Sequence, residues 1–169
     1  MYTDAFIAEL IACPKKMVGT IKDVSNRAAY TKKEFSMQSV DGKHEFTGFI
    51  TWSQFFEENF SIGLKHEPKE IKGDTVLLRC NGKHGGTKKQ PHHAYCHIHY
   101  ATEARIEQGL KEEGLIEACD EYSTYETAIQ FYIRKVNIVP ADRQKHFPPP
   151  SEQIRIFDES SDQNGQYPE

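Results

Sequence analysis

Asp41-Gly42 lies between two runs with strand character, residues 31–39 and 45–51. An Asp-Gly pair accepts the positive φ angles of a tight hairpin turn, whose twist matches that of the flanking strands. The pair therefore commits this part of the chain to antiparallel neighbours. Most of residues 17–80 reads the same way. The aromatic-rich stretch 52–60 reads as a turn or a helical bend, and 60–64 as a short strand. A further strand, 75–80, follows Gly73-Asp74, and a loop containing Gly82, Gly85 and Gly86 leads to a strand over 94–100.

Helices flank this region. Thr3-Asp4 followed by Phe6, Ile7, Leu10 and Ile11 predicts a short capped amphipathic helix that Pro14 ends. Residues 103–113 read as a helix with Ile106 and Leu110 on one face. Ser123-Thr-Tyr-Glu126 has the pattern of a capping box. Behind it Tyr125, Ala128, Ile129, Tyr132, Ile133 and Val136 form an apolar stripe at helical spacing, which is read as core. The expected fold is α+β: an antiparallel sheet of about five strands with helices packed on one side. Residues 1–146 should form one domain. Residues 147–169 read as a flexible acidic tail, with an edge strand or a docking segment as the alternative reading of Ile154-Arg-Ile-Phe157.

The 169 residues contain no apolar run of the roughly 18–20 residues needed to span a membrane. The first residues lack the basic start and apolar stretch of a signal peptide. Cys13, Cys80, Cys96 and Cys119 are widely spaced and read as reduced thiols, so a cytoplasmic protein is expected. His44, His66 and His146 read as surface residues. Cys80 and Cys96 read as core residues.

Chemistry concentrates between residues 81 and 99. Five of the eight histidines (His84, His92, His93, His97 and His99) fall within sixteen residues. Residues 75–100 hold Arg79, Lys83, Lys88 and Lys89 and neither Asp nor Glu. That segment is +4 in a chain of net charge −4, which leaves −8 for the remainder. Such an island suits an anion, above all a phosphate.

Alternation along a strand places His93, Tyr95, His97 and His99 on one face and Ala94, Cys96 and Ile98 on the other. In the preceding strand Val76, Leu78 and Cys80 share one face, and Thr75, Leu77, Arg79 and Asn81 the other. Pairing the two strands would merge the apolar faces into the core and bring Arg79 and Asn81 beside the histidines.

Three readings compete. In the first, two histidines act as acid and base in metal-independent RNA cleavage. Lys or Arg then stabilises the phosphoryl oxygens, and Tyr95 hydrogen-bonds or stacks on a base. In the second, a metal hydrolase, His-x-His and a third histidine hold zinc. The lack of a nearby carboxylate, except Glu103 after a turn, and the positive neighbours weigh against it. In the third, the histidines fill a polar sheet face or bind an acidic partner.

The order of elements is a strand, the Asn-Gly-Lys-His-Gly loop, the His-His-x-x-x-His-x-His strand, an acidic segment, and Tyr-Ser-Thr-Tyr-Glu before an amphipathic helix. It resembles the TumE-type toxins of bacterial toxin–antitoxin systems over residues 75–136. The resemblance implies a short antiparallel sheet with a closing helix, a nucleic-acid-directed function, and Asn81, His97 and His99 as site positions. Those proteins usually carry an acidic residue before the Asn, whereas here the order is Arg79-Cys80-Asn81.

The expected function is a metal-independent phosphodiesterase, requiring no cofactor, that acts on RNA or a small RNA-like nucleotide. Cyclic oligoadenylates are one candidate substrate, and the setting would be a toxin or antiviral defence. His97 and His99 are the expected acid/base pair, with His93 or His84 in support. Arg79, Lys83, Lys88 or Lys89 would bind phosphate, and Asn81 would orient a histidine or the scissile group. A homodimer is expected. The different-class alternative is a non-enzymatic inhibitor or adaptor that binds an acidic protein partner, for example an antitoxin, through the basic loop.

Overall fold

The computed structural model describes residues 1–27, 29–69, 73–110 and 114–149. One antiparallel sheet runs in strict sequence order: β1 (Lys15–Arg27), β2 (Tyr30–Ser39), β3 (Glu45–Ser53), β4 (Phe60–Glu67), β5 (Thr75–Asn81), β6 (His97–Tyr100) and β7 (Leu115–Ala118). Among the described residues four short α-helices accompany it: α1 (Asp4–Ala12), α2 (Glu103–Glu107), α3 (Tyr125–Lys135) and α4 (Pro140–His146). The α+β class and antiparallel sheet agree with expectation, but there are seven strands rather than about five.

The two additional strands are the sheet edges, where alternation is least informative. In β1 the register slips twice, between Val18 and Lys22 and between Asp23 and Ser25, so its sides do not alternate cleanly. Strand β7 is four residues long and exposed throughout. It follows a helix shorter than the expected 103–113: α2 stops at Glu107, and Gly109 turns the chain with φ +67°. Leu110 is exposed, and residues 111–113 lie outside the described residues.

Register explains the core. Ile50, Ile62, Cys80 and Ile98 pair successively across β3, β4, β5 and β6. All four are buried, and Phe35, Met37, Phe46, Leu64 and Leu78 join them. Ile7, Leu10 and Ile11 of α1 and Ala128, Phe131, Tyr132 and Ile133 of α3 complete the same core. The Tyr132 hydroxyl donates to the Gly63 carbonyl at 3.0 Å, which places α3 over β4. Phe147, the first residue of the expected tail, is buried with its ring 5.2 Å from that of Phe35. The rest of the tail, from residue 150, lies outside the described residues.

Several local expectations change. A bulge opposite Leu64 and Lys65 makes Leu77 an extra residue, so Leu77 and Leu78 are both fully buried while Val76 is only half-buried. The α3 cap is Thr124 with Thr127, one residue beyond the Ser123/Glu126 pairing read from sequence. His66 is not a surface residue. It follows Ile62 and Leu64 on the core face of β4, and its Nδ1 shares a 2.7 Å hydrogen bond with the Tyr2 hydroxyl. No helix among the described residues is long and apolar enough to cross a membrane.

Candidate active site

Side chains one position along from the core row point to the opposite face. There the register pairs Ser61 with Asn81 and Asn81 with His97, and Gly63 with Arg79 and Arg79 with His99. Arg79 and Asn81 therefore stand directly beside the two histidines of β6. His97 is 0% and His99 8% exposed, although they face away from the helical core. The segment between β5 and β6 covers them.

Its course depends on three residues. Gly85 takes φ +87°, which disfavours any side chain. Gly86 lies so close to Ala94 that an added Cβ would come within 2.7 Å of the Ala94 Cβ. Pro91, with its fixed φ, opens a single 3-10 turn, Pro91–Ala94. The expected strand over 94–100 thus begins only at His97, because the turn takes up the residues before it. His84 N–H donates to the His93 carbonyl at 3.0 Å and holds the two limbs of the loop together.

All five histidines converge. Ring centroids are 3.9 Å apart for His84 and His93, 4.9 Å for His97 and His99, 5.1 Å for His92 and His97, and 5.4 Å for His84 and His97. The His84 Nδ1–H donates to the Gly82 carbonyl at 2.9 Å, and the His97 Nδ1–H donates to the Tyr95 carbonyl at 2.8 Å. A carbonyl only accepts, so both neutral rings carry the proton on Nδ1 and a lone pair on Nε2. That of His97 receives the Asn81 Nδ2–H at 3.3 Å. Beneath them the Tyr122 hydroxyl meets the main-chain carbonyls of Asn81 and His97 at 3.1 and 2.9 Å, joining β5 to β6.

His97, His99 and His93 are pushed toward the neutral form. Burial lowers His97 to about 4, and His84, His92 and His93 push the same way against the Tyr95 hydrogen bond. Burial and then Arg79 lower His99 to about 3. His93 is lowered by desolvation, then by His84, His92 and Arg79.

Above this cluster lies a pocket of about 380 Å³, lined by Asn59, Phe60, Ser61, Arg79, Asn81, His84, Gln90, His92, His93, His99 and Ile116. Of the residues expected at the site, Arg79, Asn81, His84, His93 and His99 reach this wall, while His97 is buried among the other rings. Lys83 does not reach it and instead pairs with Glu58 at 3.3 Å. Lys88 and Lys89 are exposed on the loop outside the wall, and Tyr95 is exposed with its ring 6.2 Å from that of His97. His92 and Ser61 were missed. The signal for His92 was Pro91, which marks a turn that brings both adjacent histidines inward rather than alternating them.

The chain matches no family model, no curated protein and no solved structure. The resemblance to TumE-type toxins thus rests on the motif alone.

Proposed function

We propose that the protein is a phosphodiesterase acting on RNA or a small RNA-like nucleotide, with the histidine-lined pocket as its reaction centre. The pocket wall carries this reading: four imidazoles and a guanidinium, with no carboxylate among the described residues. Ser61 adds a buried hydroxyl that has no hydrogen-bond partner among the described residues. Such a wall suits a phosphodiester anion.

In cleavage by internal attack, the 2′-oxygen bonds to phosphorus as its proton passes to a base. The 5′-oxygen leaves with a proton from an acid, and a 2′,3′-cyclic phosphate remains. His92 and His99, both at the wall, are placed to transfer these protons. Arg79 offsets charge on the phosphoryl oxygens, Asn81 and Ser61 orient them, and His97 fixes the positions of its neighbours. Such an activity would suit a toxin or an antiviral-defence effector.

The test is cleavage of single-stranded RNA, matched DNA, and linear and cyclic oligoadenylates by wild type and His99→Ala. RNA-type substrates alone should be cut, and the substitution should lower turnover by about 10²-fold or more without changing the circular dichroism. Wild type inactive on the whole panel would sink the reading. A second reading, an adaptor for an acidic partner, draws on Lys88 and Lys89, which stand exposed outside the wall. It predicts that reversing both charges abolishes partner binding and that His99→Ala does not.

A further inference from the structure

The imidazoles are more numerous and more crowded than anion binding or proton transfer requires. We propose that His84, His93 and His97 hold one transition-metal ion of the zinc class. One ligand atom from each lies within 4.8 Å of the other two. Zinc bonds imidazole nitrogen at about 2.0–2.1 Å, so the rings close on an ion by side-chain shifts on the order of 1 Å.

The hydrogen bonds prepare them for it. Metal-bound histidines characteristically donate the second ring N–H to a carbonyl or carboxylate, which fixes the tautomer and orients the ring. His84 and His97 make such bonds, to the Gly82 and Tyr95 carbonyls, which keeps a lone pair on each Nε2; that of His97 accepts from Asn81 Nδ2–H at 3.3 Å and exchanges this long hydrogen bond for the ion. The backbone hydrogen bond from His84 to His93 holds these two ligands side by side.

A second trio, His92, His97 and His99, meets the same distance condition and shares His97. Its His99 pairs directly with Arg79 in the register, and a guanidinium opposes a cation; in the first trio Arg79 also acts on His93, but no ring of that trio is its direct cross-strand partner. Two rings of the first trio, His84 and His97, hold the Nδ1–carbonyl bond that prepares a ligand, and the ion is assigned to His84, His93 and His97 on that ground. Three nitrogen ligands with no thiolate or carboxylate fit zinc with an open fourth position, the pattern of catalytic rather than structural sites. His92 and His99 line the pocket.

This assignment rests on ring geometry and not on the reaction proposed above. Its test uses untagged full-length protein stripped with EDTA. Zinc is followed by calorimetry and thermal melting, and cobalt by its visible ligand-field absorption. Wild type should bind one ion per chain, melt at higher temperature with zinc, and give the intense cobalt bands of a tetrahedral site. His84→Gln and His93→Gln should weaken zinc by more than the roughly 10–100-fold that follows loss of an outer-sphere partner. His92→Gln should retain one-to-one binding. The two loop variants keep the test valid if the fully buried His97 tolerates no replacement. Failure of wild type to bind zinc overturns the proposal, as does binding that survives His84→Gln but is lost with His92→Gln. Stoichiometric zinc without cleavage of any substrate leaves the site standing and removes the phosphodiesterase. Chelator-resistant cleavage by a protein that binds no zinc does the reverse.

Discussion

His66 shows what a buried imidazole does to this protein. Desolvation, with His44 next, lowers it to about 4 from an ordinary 6.5. As pH falls through 6.5 the unfolded chain takes up this proton and the folded chain does not, so stability present above 6.5 drains away down to about 4. The full loss is about 3 kcal/mol. Urea unfolding at neutral pH and at pH near 4 should show a smaller acid loss in His66→Gln than in wild type. Equal losses would refute the assignment. The same scale shows what was legible in the site. Alternation alone put Arg79 and Asn81 on the histidine side, and the register pairs them with His99 and His97. His92 was hidden because a period of two does not apply to a 3-10 turn. Tyr122 was hidden because its role is a hydrogen bond to main chain, which leaves no pattern in neighbouring residues.

Element ends are joined by a residue that sequence reading passes over as one more surface cation. The fully buried Lys15 Nζ donates to the carbonyls of Ile11, Cys13 and Val136 at 2.9, 2.8 and 3.0 Å. It thus satisfies the last carbonyls of α1 and α3 together and sits where both helix dipoles are negative. Burial lowers its pKa to about 8, which leaves it charged at neutral pH. Lys15→Met removes a desolvated charge but strands three acceptors, the Ile11 and Val136 carbonyls buried and that of Cys13 part-buried. The expected net loss is about 3 kcal/mol, read from chemical denaturation at pH 7. A neutral or stabilising result would show that the carbonyls find other donors. Elements with unbroken period were legible, as with α1 and the β2–β3 hairpin. The bulged β1 and the four-residue β7 were not, because their side chains share no common burial.

The whole molecule is a meander in which each strand hydrogen-bonds to its neighbours in sequence. Antiparallel order was legible from one Asp-Gly turn, but strand number was not, since edge strands bury too little to impose a pattern. Closure comes from the far ends: Lys15 bridges Ile138 in parallel, and α4 packs by β1. A chain ended after Ala118 would keep every strand and all five clustered histidines but lose α3 and α4. It should bind the dye ANS strongly and sediment as aggregates, whereas the full chain should do neither. A soluble truncated chain that ignores the dye would mean that the sheet is covered some other way. Biosynthesis meets the same intermediate on every round. A ribosome delivers the strands first and the C-terminal helices last, so Phe35, which packs on Tyr132 and Phe147, waits uncovered until they emerge. The order of elements thus creates, in each nascent chain, a client for a chaperone before it creates a finished protein.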